Sequence, residues 1–428
     1  MDLSNYKYIL KNNQNYLLDY RILLYNFIKL VLVKKIKKKG EIVCMNNNGN
    51  INLLDFMNNK KLLTKVNKYS DVFKLNINIK NSLNISPLIV IKSIPLTYKD
   101  RENMYDPTYP VWRELKILKI LTNLSKKRVL PNLPIIYNYY ICNSCKYENP
   151  NLKKITDKIC LLVLSEYNKY DFRTWLIHIS AQNYDNSTLS NIWYNSIFQL
   201  LSTLYLLYKQ FKLVHLDLHW GNILVQTHKA GGYRTYIIDG ISYYIPNLGF
   251  TLKLWDFGKS KSRNIFKQDS SIPINQTHDI IRFSNIYNWI IKSTSILNKN
   301  VIPTNIINYF QEIKKNTSVD LGNIIYKTMS KYMHNKLGDS IPVNIKQNLI
   351  NIDYIENLYL GEIVAYNNKY AIVQGFFKFK IYLITKKSNN SVIKIVNYKE
   401  VSKILTNIGQ SDQKSPFLKD KNIGIYKI

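Results

Sequence analysis

The run His215-Leu216-Asp217-Leu218-His219-Trp220-Gly221-Asn222-Ile223-Leu224 constrains this chain more than any other stretch. It sets an Asp and an Asn five positions apart, between the apolar runs Phe211 to Val214 and Ile223 to Val225. That pattern predicts strand, loop and strand, with both polar side chains in the loop and facing one cleft. Downstream, Leu252-Lys253-Leu254 is a β-type run ending in Trp255-Asp256-Phe257-Gly258, which supplies a second carboxylate.

Together, and in this order, the two pieces resemble the catalytic loop and metal-binding motif of the protein kinase superfamily, H-x-D-x-x-x-x-N followed by D-F-G. Phosphoryl transfer needs a carboxylate to orient an attacking hydroxyl and accept its proton, and hard oxygen ligands for a divalent cation on the nucleotide phosphates. The resemblance gives Asp217 the first role. Asn222 and Asp256 take the second, as ligands for Mg²⁺ or Mn²⁺ on ATP.

Further pieces upstream extend the likeness. Leu88-Ile89-Val90-Ile91-Lys92 resembles the strand that carries the phosphate-positioning lysine, and the Trp112 to Leu118 helix offers Glu114 as its ion-pair partner. Leu161 to Tyr167 resembles the fifth strand and hinge, which puts Ser165, Glu166 and Tyr167 at the adenine pocket. Ser165 would guard the back of that pocket and leave room for bulky inhibitors. Asp171 to Leu176 resembles the start of the next helix. The resemblance spans roughly residues 60 to 300.

The departures are informative. Aligning Val72 with the valine of G-x-G-x-x-G-x-V sets Lys65, Asn67 and Ser70 where glycines are expected, so the backbone loses its usual approach to the phosphates, with Asn dihedrals and the charge of Lys65 or Lys68 as substitutes and a pseudokinase as the alternative. Leu216 stands where an Arg normally pairs with an activation-loop phosphate, and no A-P-E motif lies between Gly258 and Asp279, which implies a kinase that is on once folded. His219 occupies the position of a lysine near the transferring phosphate, as in haspin-type kinases. Phosphate contact and simple loop packing both remain open for it. An inserted hairpin, Tyr233 to Ile238 and Ile241 to Ile245 around Asp239-Gly240, resembles the serine/threonine kinases of nucleocytoplasmic large DNA viruses.

The 428 residues carry 60 Lys and Arg against 28 Asp and Glu, a formal net charge of +32. Charge of that size suits an acidic protein substrate or a nucleic-acid contact, the latter allowed but not required, while the Lys, Asn, Ile and Tyr excess equally fits A/T-rich codons. A hydrophobic content of 46% excludes a disordered or fibrous chain. No apolar run reaches the length of a membrane span and no secretory leader is recognisable, which predicts an intracellular protein, in host cytoplasm or virion for a viral source. Cys44, Cys142, Cys145 and Cys160 are expected as free thiols, with Zn²⁺ held by Cys142, Cys145 and Cys160 as the alternative.

The expected fold is α+β: a bilobal kinase-like body with an N-terminal helical extension and a small C-terminal β-barrel-like module. Its parts are a helix and hairpin over 1–60, an N-lobe and hinge over 61–170, a helical C-lobe over 171–345, the β module over 355–405 and a tail over 406–428. The expected activity is ATP- and Mg²⁺-dependent phosphorylation of serine and threonine in proteins. Two alternatives stand beside it: a small-molecule phosphotransferase of the aminoglycoside or choline kinase type, and a pseudokinase scaffold for acidic partners.

Overall fold

A computed structural model describes residues 18–34, 44–46, 49–51, 61–62, 70–76, 87–143, 145, 152, 159–182, 184–228, 230, 233–239, 241–269, 275–292, 301–315, 320–325, 349–351, 363–377, 380–387, 390–404 and 422–428. The chain divides into two compact units, one of residues 1–176, 210–227 and 252–275, the other of residues 177–209, 228–251 and 276–428.

The first unit begins with helix α1 (Leu18–Lys34) and continues through strands β1 (Cys44–Asn46), β2 (Gly49–Ile51), β3 (Lys61–Leu62), β4 (Asp71–Asn76) and β5 (Leu88–Pro95). Helix α2 (Pro110–Lys126) and strands β6 (Ile136–Cys142) and β7 (Cys160–Glu166) follow. The strands form one antiparallel sheet in the order β2-β1-β6-β7-β5-β4-β3. Strand β7 is buried along its whole length, as a central strand covered on both faces must be. On one face Leu24, Phe27 and Ile28 of α1 pack with Ile89, Ile91, Leu162 and Leu164, so α1 is a core element of this unit.

Strand alternation sends the intervening side chains the other way. Val90 lies opposite Ser165 and Lys92 opposite Val163 across the β5–β7 ladder. Helix α2 opens with a proline at its first turn, where the missing N–H costs nothing. Its buried positions Val111, Trp112, Glu114, Leu115, Leu118 and Leu121 recur at three- and four-residue spacing, and Glu114 lies on that stripe.

After β8 (Tyr170–Asp171) come α3 (Phe172–Ser180), α4 (Asn186–Phe211), β9 (Leu213–Val214), β10 (Ile223–Thr227), β11 (Tyr233–Ile238), β12 (Ile241–Pro246), β13 (Phe250–Leu254) and β14 (Lys261–Ser262). The expected strand-loop-strand around Asp217 is β9, the loop with a short 3-10 turn over Trp220–Asn222, and β10.

In the second unit the inserted hairpin β11–β12 packs Tyr236 and Tyr243 on Phe198 of α4. Two short helices, α5 (His278–Phe283) and α6 (Ile286–Lys292), come next, and α7 (Thr304–Lys315) follows them. Strands β15 (Leu349–Asn351), β16 (Ile363–Tyr366), β17 (Lys369–Phe377), β18 (Lys380–Lys387), β19 (Asn390–Asn397) and β20 (Val401–Ile404) make a six-stranded sheet ordered β15-β20-β16-β17-β18-β19. The expected barrel is therefore corrected to an open sheet. Closure requires the two edges to pair, and among the described residues β15 pairs only with β20 and β19 only with β18. Within the expected tail, β21 (Asn422–Lys427) adds to β11 as a parallel strand.

Candidate functional site

A cavity of about 350 Å³ in the first unit is lined by Val72, Val90, Lys92, Ser165, Glu166, Tyr167, Asn222 and Asp256, with Lys169, Asp171 and Trp255. Lys92 Nζ donates to both carboxylate oxygens of Glu114, at 2.8 and 2.9 Å, and lies 3.7 Å from Asp256 Oδ1. Burial alone would depress the Lys92 ammonium, but the Glu114 and Asp256 carboxylates hold it above its ordinary range. The residue before Glu114, Arg113, fastens the same helix to the chain after Gly258, donating to the Ser260 carbonyl at 2.7 Å and pairing with Asp269 at 3.4 Å.

The catalytic-type loop is held by hydrogen bonds between side chains and its backbone. Leu216 has φ +62° and Asp256 φ +63°, left-handed values that cost non-glycine residues and need support from neighbours. His215 provides it: its buried ring donates from Nε2 to the Trp255 carbonyl at 2.8 Å, which leaves Nδ1 to accept the Asp217 N–H at 3.3 Å. Asn222 donates its amide to the Asp217 carbonyl at 2.9 Å, and its own carbonyl accepts from the Trp255 N–H at 2.9 Å. The Asp217 carboxylate meets Lys259 Nζ at 2.9 Å. His219 caps the 3-10 turn, its Nδ1 accepting the Gly221 N–H at 3.1 Å; a Cβ at position 221 would stand 3.0 Å from the same ring.

The donor set suits a hard divalent cation. With its nitrogen held by the Asp217 carbonyl, the amide of Asn222 is oriented to present its oxygen, and Asp256 offers a carboxylate in the same cavity. One or two protein oxygens joined by phosphate and water match the habit of Mg²⁺.

Not every expected residue comes to this cavity. Ser70 is buried and Val72 lines the wall, while Lys65 and Asn67 lie outside the described residues. Glu166 contributes to the lining, yet its side chain is engaged by Arg21 of α1, because it follows Ser165 in an alternating strand. Sequence reading missed Arg21, Lys253 and Lys259, all bonded through contacts distant in the chain. Asp171 was also missed as part of the wall, although its capping of Thr174 N–H is a readable helix-start signal.

The zinc alternative is overturned. Cys145 and Cys160 form a disulfide, and neither a free cysteine nor a cluster of three or more His, Cys, Asp or Glu side chains able to hold a metal ion occurs among the described residues. The same bond overturns the expectation of free thiols. No described helix is long and apolar enough to cross a membrane.

No protein-family model matches the chain. It is 27% identical over 266 residues to the "Probable serine/threonine-protein kinase 380R" of Invertebrate iridescent virus 6, covering 59% of this chain and 46% of that protein. It is 28% identical over 169 residues to the "Putative serine/threonine-protein kinase R400" of Acanthamoeba polyphaga mimivirus, covering 34% of this chain and 36% of that one. A second mimivirus relative, "Uncharacterized protein R403", is 23% identical over 330 residues, covering 56% and 44%. The chain thus spans less than half the length of these relatives. It carries a divergent kinase-like resemblance to proteins of large DNA viruses.

Proposed function

We propose that the chain is an ATP-dependent protein kinase, with a bilobal kinase-like body, that phosphorylates serine and threonine hydroxyls. The observation that carries this reading is the convergence of Lys92, Asp256 and Asn222 on one cavity, with Glu114 paired to Lys92, beside the loop that holds Asp217. The names of the viral relatives support protein as the substrate.

In this reading Lys92, kept cationic and oriented by Glu114, binds the nucleotide phosphates. Asp217 orients the substrate hydroxyl and accepts its proton as the oxygen–phosphorus bond forms and the bond to the departing ADP breaks. Lys259 stands beside that carboxylate, where charge accumulates between two anions. Asn222 and Asp256 would hold Mg²⁺, which supplies neutralisation of phosphate charge when bound. Ser165, small and buried, lines the cavity, and in this reading it would close the back of the adenine pocket.

The test is transfer of label from γ-labelled ATP to acidic and basic model proteins, in parallel with a panel of amino-alcohols. Labelling of protein serine and threonine supports the reading. Labelling of the amino-alcohols alone overturns it in favour of a small-molecule phosphotransferase, and no labelling of either overturns catalysis.

A further inference from the structure

We propose that Arg21, on helix α1, is a positioning residue for the nucleotide cavity, acting through Glu166; the inference deepens the phosphotransfer reading and rests on it. Arg21 is 3% exposed and all three nitrogens of its planar guanidinium donate. Nε donates to Glu166 Oε2 at 2.8 Å and Nη2 to Oε1 at 2.7 Å, a bidentate fork, while Nη1 and Nη2 donate to the carbonyls of Pro131 and Leu133. Glu166 is just as fully used. It also accepts from the Ile135 N–H at 3.0 Å and from Lys253 Nζ at 2.8 Å, and Lys253 in turn donates to Gln226.

The consequence lies in where these partners sit. Glu166 ends strand β7 and is followed by Tyr167, so it fixes the place where that wall of the cavity turns. Lys253 precedes Asp256 by three residues, and Gln226 belongs to β10, the strand that leaves the loop of Asp217 and Asn222. The 131–135 segment connects α2, which bears Glu114, to β6. One buried carboxylate therefore ties the cavity wall, the strand approaching Asp256 and the connection from α2 to a single spacing. Arg21 closes the arrangement from outside the sequence range that resembles kinases. Two cations on one anion leave a surplus positive charge, so the cluster is held by geometry and not by neutrality.

Removing Arg21 leaves the Pro131 and Leu133 carbonyls without this donor and frees one side of Glu166. The fork cannot be rebuilt by an ammonium, which lacks the planar pair of donors. Binding of a fluorescent ATP analogue to the full chain, measured below the unfolding temperature of every variant, tests the proposal. Arg21→Met is expected to weaken binding about tenfold, equivalent to about 1.4 kcal/mol. Arg21→Lys should fall between it and the unmodified chain. Leu24→Ala, which removes buried carbons from the same helix without touching Glu166, should lower the melting temperature and leave analogue affinity unchanged.

Equal affinities for Arg21→Met and the unmodified chain would overturn the proposal. So would equal losses in Arg21→Met and Leu24→Ala, since the helix would then act only as packing. If the unmodified chain binds no nucleotide, the phosphotransfer reading fails with it; if it binds and transfers while Arg21→Met is silent, only the positioning role fails.

Discussion

Lys92 grips Glu114 through both carboxylate oxygens, at 2.8 and 2.9 Å, with both side chains buried. A buried pair is held together less by its own attraction than by the penalty of exposing either partner alone to an apolar surrounding. Glu114→Leu alone should cost about 3–5 kcal/mol in denaturant unfolding, and Lys92→Met alone a similar amount. The double substitution should recover most of that stability while transfer stays lost. A double variant as unstable as the singles would mean that the pair is incidental to the fold around it.

Acid should weaken the first unit through Glu166. Burial alone would raise its carboxyl, but Arg21 and Lys253 hold it below the ordinary carboxylate value. A carboxyl lowered in the folded state contributes stability above its unfolded value, and this contribution disappears as pH falls through the folded value. Unfolding midpoints measured downward from neutral pH should therefore drop in the native chain. They should drop less steeply in Glu166→Gln, which starts from a lower midpoint because two buried cations lose their anion. Parallel acid limbs would contradict the ionised assignment.

The Cys145–Cys160 bond closes a separation of 15 residues. Loop-closure entropy puts its contribution at about 3 kcal/mol. Adding reductant should lower the melting temperature of the native chain by more than that of a Cys145→Ser, Cys160→Ser variant, in which Cys142 stays disulfide-bonded. Alkylation followed by intact-mass measurement should find neither thiol free without reductant, and added Zn²⁺ should change nothing.

Ser165 predicts inhibitor selectivity. Its small, 2% exposed side chain lines the cavity, and the proposed kinase reading puts it at the rear of the adenine pocket with room beside it. ATP-competitive inhibitors with a bulky aryl extension should bind more tightly than their parents, and Ser165→Phe should cancel the gain. A series in which bulk brings no gain to the unmodified chain would remove this reading of the wall.

Legibility of the sequence followed the range of the interactions. The loop around Asp217 and Asn222 and the strand before Asp256 are written in contiguous runs, and Lys92 and Glu114 sit on a strand and a helix with readable periodicity. The Arg21–Glu166 contact joins residues 145 positions apart, and nothing local to either marks it. Glu166 was assigned to the cavity by motif alone; the alternation that brings Ser165 inward turns the next side chain to α1. Cysteine spacing left zinc and thiols as the options considered, because pairing depends on how β6 and β7 bring Cys145 near Cys160, and spacing carries no such information. A β module over 355–405 was readable, whereas the choice between barrel and open sheet depended on whether β15 and β19 meet.

Catalysis at this site is tested most directly with γ-labelled ATP, a model protein substrate and Mg²⁺, comparing the native chain with Asp217→Asn and Asp256→Ala. Label should appear on serine and threonine with the native chain and fall about 10²–10⁴-fold in Asp217→Asn, the range for losing a general base. It should fall at least as far in Asp256→Ala. Equal labelling by all three proteins would contradict catalysis at this site.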